Sequence, residues 1–172
     1  MDFQGIFDRL KAQNVPGVIE ANEPRKPDPE NKKDKGRGGD PYVLVDPNLI
    51  CEFMVACRDD ERLGFEILAD LSAADPSKES EEFWMVYQLL SIKHRQRLAV
   101  KSLIPKADAK INTLSGIYRA ARWHERECAE MFGISFNGHP DPRKMLLPDD
   151  WVGHPLRKDY EFPTEYHGIS CV

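Results

Sequence analysis

A chain of 172 residues, 41% hydrophobic and 31% charged, is long enough to bury a core in one domain and has the balance of an ordinary water-soluble protein. Its formal net charge of -5 and pI near 5.6 exclude a general nucleic-acid binder, which needs a basic excess gathered on one face.

The N-terminal stretch MDFQGIFDRLKAQN reads as an amphipathic helix with Phe3, Ile6, Phe7 and Leu10 on one face. It lacks the basic start and apolar centre of a secretory signal. Val18 to Ala21 is a short strand candidate. Residues 22–41 hold almost no aliphatic or aromatic side chain, so they read as a flexible polar loop, with the basic run Lys32 to Arg37 as solvated linker. Glycines Gly36, Gly38 and Gly39 lie here without the preceding strand that a phosphate-binding turn requires.

YVLV, Tyr42 to Val45, is a β-type run. Asp46 and Pro47 follow as N-cap and first-turn proline of a helix reaching about Cys57, with Leu49, Ile50, Phe53 and Met54 facing the core. Phe65 to Leu71 fits a strand or a helix. Phe83 to Ile92 and Leu98 to Ile104 read as a hairpin around the charged turn KHRQR, and Thr113 to Ala121 opens a helical region. The longest nearly apolar run, FWMVYQLLSI, is about half of what a membrane-spanning helix needs.

Strands grouped between helices predict an α+β two-layer sandwich: a mixed or antiparallel sheet with helices mainly on one face. Cys51, Cys57, Cys128 and Cys171 show no C-x-x-C spacing, which disfavours an iron-sulfur cluster held by this chain alone and predicts reduced thiols.

From Arg122 to Phe132 no Pro or Gly interrupts a predicted helix, and Gly133 stands where a C-terminal cap belongs. On a helical wheel Trp123, Cys128, Met131 and Phe132 form an apolar arc, with Arg122, Glu125, Arg126 and Glu130 mostly opposite. Glu127 falls inside the apolar arc. A carboxylate there needs a cation or a proton, so the wheel predicts a buried ion pair at Glu127, with general acid-base work as the alternative. Beyond Gly133 the chain is punctuated by Pro140, Pro142, Pro148, Pro155 and Pro163, which predicts an extended course. Met145, Leu146, Leu147, Trp151, Leu156 and Tyr160 give it more apolar surface than a solvated linker carries, so it is expected to lie in a groove of its own domain or of a partner. The division expected is therefore an α+β domain over residues 1–133 and a Pro-rich docking tail over 134–172.

The long run Glu125, Arg126, Glu127, Glu130, Met131, Phe132, His139, Arg143, Met145 and Leu146, continuing through LLPDDWVGHPLRKDY to Tyr160, resembles the signature of the thirty-kilodalton subunit of respiratory complex I. The resemblance is weaker over Tyr42 to Leu71, where it tips the ambiguous FEILADL segment to strand, and over Phe83 to Ile104. Two positions depart from it: Tyr118 stands where a Trp is expected and Pro142 where a Leu is expected.

The resemblance implies a non-catalytic structural and assembly subunit in the peripheral arm of a proton-translocating NADH:quinone oxidoreductase, on the cytoplasmic side of the inner membrane. FMN, iron-sulfur clusters, NAD and quinone would be held elsewhere in that complex and none by this chain. Subunits D and B would be its neighbours. It also implies that Glu125, Arg126, Glu127, Glu130, His139, His154, Arg157, Lys158, Asp159 and Tyr160 serve partner binding or structure. Two alternatives share or replace this reading: the equivalent subunit of a membrane-bound hydrogenase or deazaflavin dehydrogenase, and a free-standing metalloenzyme using His124, Cys128, His139, His154 and Glu127. His139 and His154 each precede Pro in a Gly-His-Pro triplet, which favours turns with hydrogen-bonding imidazoles over metal ligands.

Overall fold

The computed structural model describes residues 2–23 and 40–170. Chain order is α1 (Phe3–Ala12), β1 (Val18–Asn22), β2 (Tyr42–Val45), a 3-10 turn at Pro47–Leu49 leading into α2 (Ile50–Asp59), then β3 (Ile67–Ala74), β4 (Glu82–Ser91) and β5 (Gln96–Pro105). After these come β6 (Lys110–Asn112), α3 (Ala121–Phe132), β7 (Ser135–Asn137) and the short pair β8 (Glu165–Tyr166) and β9 (Ile169–Ser170). The polar segment expected over residues 22–41 lies mostly outside the described residues, although Asn22 ends β1.

Five strands form one mixed sheet in the order β1-β2-β5-β4-β3. All neighbours are antiparallel except β2 and β5, which run parallel. The β4–β5 hairpin is the expected one, and its alternation sorts the side chains. Phe83, Met85, Tyr87 and Leu89 on β4 and Leu98, Val100 and Ile104 on β5 are buried, while Trp84, Val86, Leu90 and Leu103 sit half-exposed on the opposite face.

The helices cover the buried face. Asp2 caps α1, its carboxylate accepting from the Gly5 N–H, and Ile6, Phe7 and Leu10 enter the core. Asp46 caps the entry to α2 through the Asn48 N–H, and Ile50, Phe53, Met54 and Cys57 point inward. Leu49, expected in the core, is instead exposed because the first turn is 3-10, which rotates it out of the α-helical stripe. The expected helical region at Thr113 to Ala121 is a series of turns, with helix beginning only at Ala121. Tyr118 is buried and donates its hydroxyl to the Phe65 carbonyl at 2.8 Å, a polar handle that ties this turn to the start of β3.

The core does not stop at Gly133. Ile134 is buried, and β7 pairs in parallel with β6 through Ile111 and Phe136. The packed domain therefore crosses the division expected at that glycine.

Candidate functional site

Helix α3 lies against β3 and presents Ala121, Glu125, Cys128 and Phe132 to the core, the i, i+4, i+7, i+11 stripe of a packed helix. This rotates the predicted wheel. Glu127 and Trp123 are exposed, with Trp123 at 60%, whereas Glu125 and Glu130 are buried. The buried ion pair expected at Glu127 is thus corrected: the wheel took Trp123 and Met131 as core anchors, while the helix buries two carboxylates that find hydrogen-bond donors. Nor does Arg126 form a network with Glu127. Its guanidinium donates to the carbonyls of Arg143 and Lys144 at 2.8 and 3.0 Å and lies over the Trp123 ring.

Glu130 is the anchor of the tail. Its carboxylate accepts three backbone N–H groups in a row, from Met145 at 3.1 Å, Leu146 at 2.9 Å and Leu147 at 2.5 Å. Burial opposes its ionisation, but these N–H donors, with Lys144 nearby, outweigh burial and hold the carboxyl below its usual range. Further contacts extend the hold. His154 Nδ1 meets the Glu130 carbonyl at 2.9 Å, and the Leu156 N–H donates to the Met131 carbonyl. Arg157 donates to the Phe132 carbonyl at 2.5 Å and lies over the Phe83 ring. The Lys158 N–H donates to Asp75, whose other oxygen pairs with Lys106 at 2.6 Å.

Carbonyls at the end of α3 are thereby satisfied by the His154 and Arg157 side chains and the Leu156 N–H, as helix C-termini require. The close approach depends on Gly133, which caps α3 at φ 71°; a Cβ there would stand 2.5 Å from the His154 ring and 2.6 Å from Arg157 Nη2. Gly133→Ala is expected to cost about 1–3 kcal/mol from the left-handed backbone and the crowding, read as a lower thermal midpoint.

The tail, expected to take an extended course, has no regular helix over its described residues and is interrupted by turns. It makes successive turns along the end of α3 and finishes in the β8–β9 hairpin, where Trp151 and Tyr166 rings meet at 5.2 Å. Although it is latched to its own domain, the tail leaves Leu146, Val152, Leu156, Phe162 and Ile169 each more than half accessible. Met145, Leu147, Trp151 and Tyr160 are half-buried, and Asp159 is exposed.

Glu125, fully buried, binds the turn before α3: the Thr113 hydroxyl lies 2.5 Å from Oε2 and the Leu114 N–H donates to Oε1 at 2.6 Å. Burial outweighs those two bonds and pushes its carboxyl up to about 7. His139 lies 3.8 Å away, too far for a hydrogen bond. Its Nδ1 accepts from the Asp141 N–H, so Nε2 carries the hydrogen and faces the Arg122 carbonyl at 3.1 Å.

The candidate metal ligands do not converge. His124 faces Asp70, His139 faces Arg122 and His154 faces Glu130, and among the described residues no group of three or more His, Cys, Asp or Glu side chains is placed to hold an ion. Cluster ligation needs thiolates, yet burial pushes the Cys128 thiol up to about 12 and raises Cys57 further. Among the described residues no helix is long and apolar enough to cross a membrane.

Residues 43–166, spanning β2 to β8 and the whole anchored tail, match the family model described as the 30 kDa subunit of respiratory-chain NADH dehydrogenase. The chain belongs to this family. Relatives named as the C subunit of NADH-quinone oxidoreductase include one from Acidothermus cellulolyticus, 37% identical over 98% of this chain and 86% of the relative. Another, from Chloroherpeton thalassium, is 36% identical over 95% of this chain and 74% of its own length. A third, from a Nocardioides species, is 46% identical over 64% of this chain but only 46% of that relative. Among solved structures the chain resembles the trypsin-resistant fragment of Nqo5, with TM-score 0.57 and 25% identity over 82% of this chain and 99% of that one. Its fold is also shared by a chain of the membrane-bound sulfane sulfur reductase, an archaeal respiratory membrane complex, at TM-score 0.62 and 21% identity over 92% and 85%. Of the two positions where the resemblance led to other expectations, Tyr118 is buried and hydrogen-bonded, and Pro142 is an exposed residue at the rim of a small cavity.

Proposed function

We propose that this chain is a non-catalytic bracing subunit in the peripheral arm of a proton-translocating NADH:quinone oxidoreductase, on the cytoplasmic side of the membrane. It binds none of the complex's FMN, iron-sulfur clusters, NAD or quinone. Its neighbours are the subunits equivalent to D and B, which form the quinone site and carry the terminal cluster. The observation that carries this reading is the anchored tail: Glu130, His154 and Arg157 fix it to α3, while it keeps a run of exposed apolar residues along its length. A run of that kind marks an interaction surface. Partner binding falls to the exposed apolar side chains and to Lys158, Asp159 and Tyr160, while Glu125, Arg126, Glu130, His139, His154 and Arg157 shape the support beneath; Glu127, exposed on α3, belongs with the former. Rigid support matters because misplacing reacting groups by about 1 Å can cost around 10²-fold in rate.

Purification of tagged chain from detergent-solubilised membranes tests this. The chain is expected to co-elute with flavin- and cluster-bearing subunits and NADH oxidation, and the double substitution Val152→Asp with Leu156→Asp is expected to cut that yield at least about tenfold without changing the thermal midpoint of the isolated chain. Elution of the unaltered chain alone would refute the proposal.

A further inference from the structure

Among the described residues no Lys or Arg is paired with the buried Glu125 carboxyl. Thr113 and Leu114 face it from the turn before α3, and His139 from the segment after β7, its Nε2 3.8 Å away and directed at the Arg122 carbonyl. The other titratable groups near enough to interact electrostatically are Cys51 on α2, Tyr87 on β4 and Cys128 on α3, all of which burial holds in their protonated, uncharged forms. Arg126, adjacent in sequence, is committed to the Arg143 and Lys144 carbonyls. An ionised Glu125 therefore sits fully buried with two hydrogen bonds and, among the described residues, no Lys or Arg partner, an arrangement that favours taking up a proton.

The Thr113 hydroxyl lets the contact exist in both states. It already accepts the Ser115 N–H at 3.1 Å. Toward a carboxylate it donates; toward a protonated carboxyl it accepts, so the hydrogen between the two oxygens reverses. The Leu114 N–H donates in either state. Beside this junction a cavity of about 220 Å³, lined by Glu125, Ile134, Phe136 and His139 among others, leaves room for the segment after β7 to shift.

We propose that Glu125 is a proton-operated latch: protonated, it stays uncharged in the interior and holds the Thr113–Ser115 turn and the neighbouring His139 segment to α3. Losing the proton leaves a buried charge that is relieved by opening to water, which loosens both despite the hydrogen bonds. Because the folded chain holds this proton more tightly than the unfolded chain, the latch contributes fully below the ordinary carboxyl range. Its contribution falls away as the pH rises to about 7. A latch operating there responds to pH changes near neutrality, and it is read on the isolated chain, so its test does not depend on whether the chain braces a complex.

The test is carbon-detected NMR of the full chain with labelled carboxyl carbons. The Glu125 carboxyl carbon is expected to titrate near neutrality, apart from the surface carboxylates at about pH 4. The amides of Thr113, Leu114 and Ser115 should shift with the same midpoint, and hydrogen exchange at Leu114 should accelerate about tenfold beyond the ordinary pH trend. Thr113→Val removes a donor to the ionised form and should move the midpoint upward; Glu125→Gln should abolish the coupled amide shifts. Titration of Glu125 with the surface carboxylates, or amides that stay still while it titrates, would overturn the latch. The unaltered chain decides the question even if Glu125→Gln does not fold.

Discussion

Replacing Glu130 with Ala is expected to free the tail from α3 between Arg143 and Leu156 and to lower the stability of the chain by about 3 kcal/mol. Three backbone N–H groups lose a charged acceptor at once; hydrogen bonds to charged groups are each worth about 1.5–3 kcal/mol, and the total loss stays near the value of one or two of them because the N–H groups of the freed tail find water. Limited proteolysis checks it: cleavage should concentrate within residues 141–160 in the variant while the β4–β5 hairpin stays protected. The effect should also be mimicked by acid. Glu130 has a depressed carboxyl pKa, so its contribution is present above the ordinary carboxylate range and is lost as the pH falls below it. Glu130→Gln keeps the acceptor oxygen without the charge and should fall between the two.

Phe83→Ala is expected to cost about 3–5 kcal/mol, the range for emptying a buried aromatic site. In a chain of this size that corresponds to a fall of about 10 °C in the thermal midpoint. Phe83 is fully buried on β4, edge-on to Phe132 of α3 at 6.0 Å, and its ring also lies beneath Lys106 and Arg157. One side chain thus joins sheet, helix and tail. Calorimetry should therefore show the loss together with easier proteolysis of the tail, whereas substitution of Leu63, equally buried but remote from Arg157, should lower stability and leave tail cleavage unchanged.

Much of the fold was legible because short apolar runs bounded by charged turns are what paired strands require. Phe83 to Ile92 announces β4 beside the charged turn KHRQR, and Asp46 with Pro47 announces a helix start by capping chemistry. β6 and β7 escaped notice because three residues each cannot display a period, and they pair across the whole of α3. The wheel misplaced Glu127 because it ranks side chains by polarity alone. Glu125 and Glu130 are buried by backbone N–H groups from Leu114 and from Met145 to Leu147, which leave no mark in the composition. The spacing Ala121, Glu125, Cys128, Phe132 was the available signal, and it is readable only when a carboxylate is allowed into the core stripe. For the tail, the prolines correctly excluded regular helix, but they do not distinguish an extended chain from one folded into turns.

The parallel pairing of β2 with β5 bears on how the chain reaches this structure. β3, β4 and β5 follow one another through antiparallel neighbours and can zip locally, whereas Tyr42 to Leu44 must wait for Ala99 to Lys101 to be made. Closing so long a loop is entropically costly before any contact rewards it. On a ribosome, the N-terminal helix and first two strands emerge early yet have no sheet edge to join. Until β5 has been synthesised, Ile6, Phe7, Leu10 and Val43 are apolar surface without a home, and this half of the domain is where nascent chains are most exposed to wrong partners.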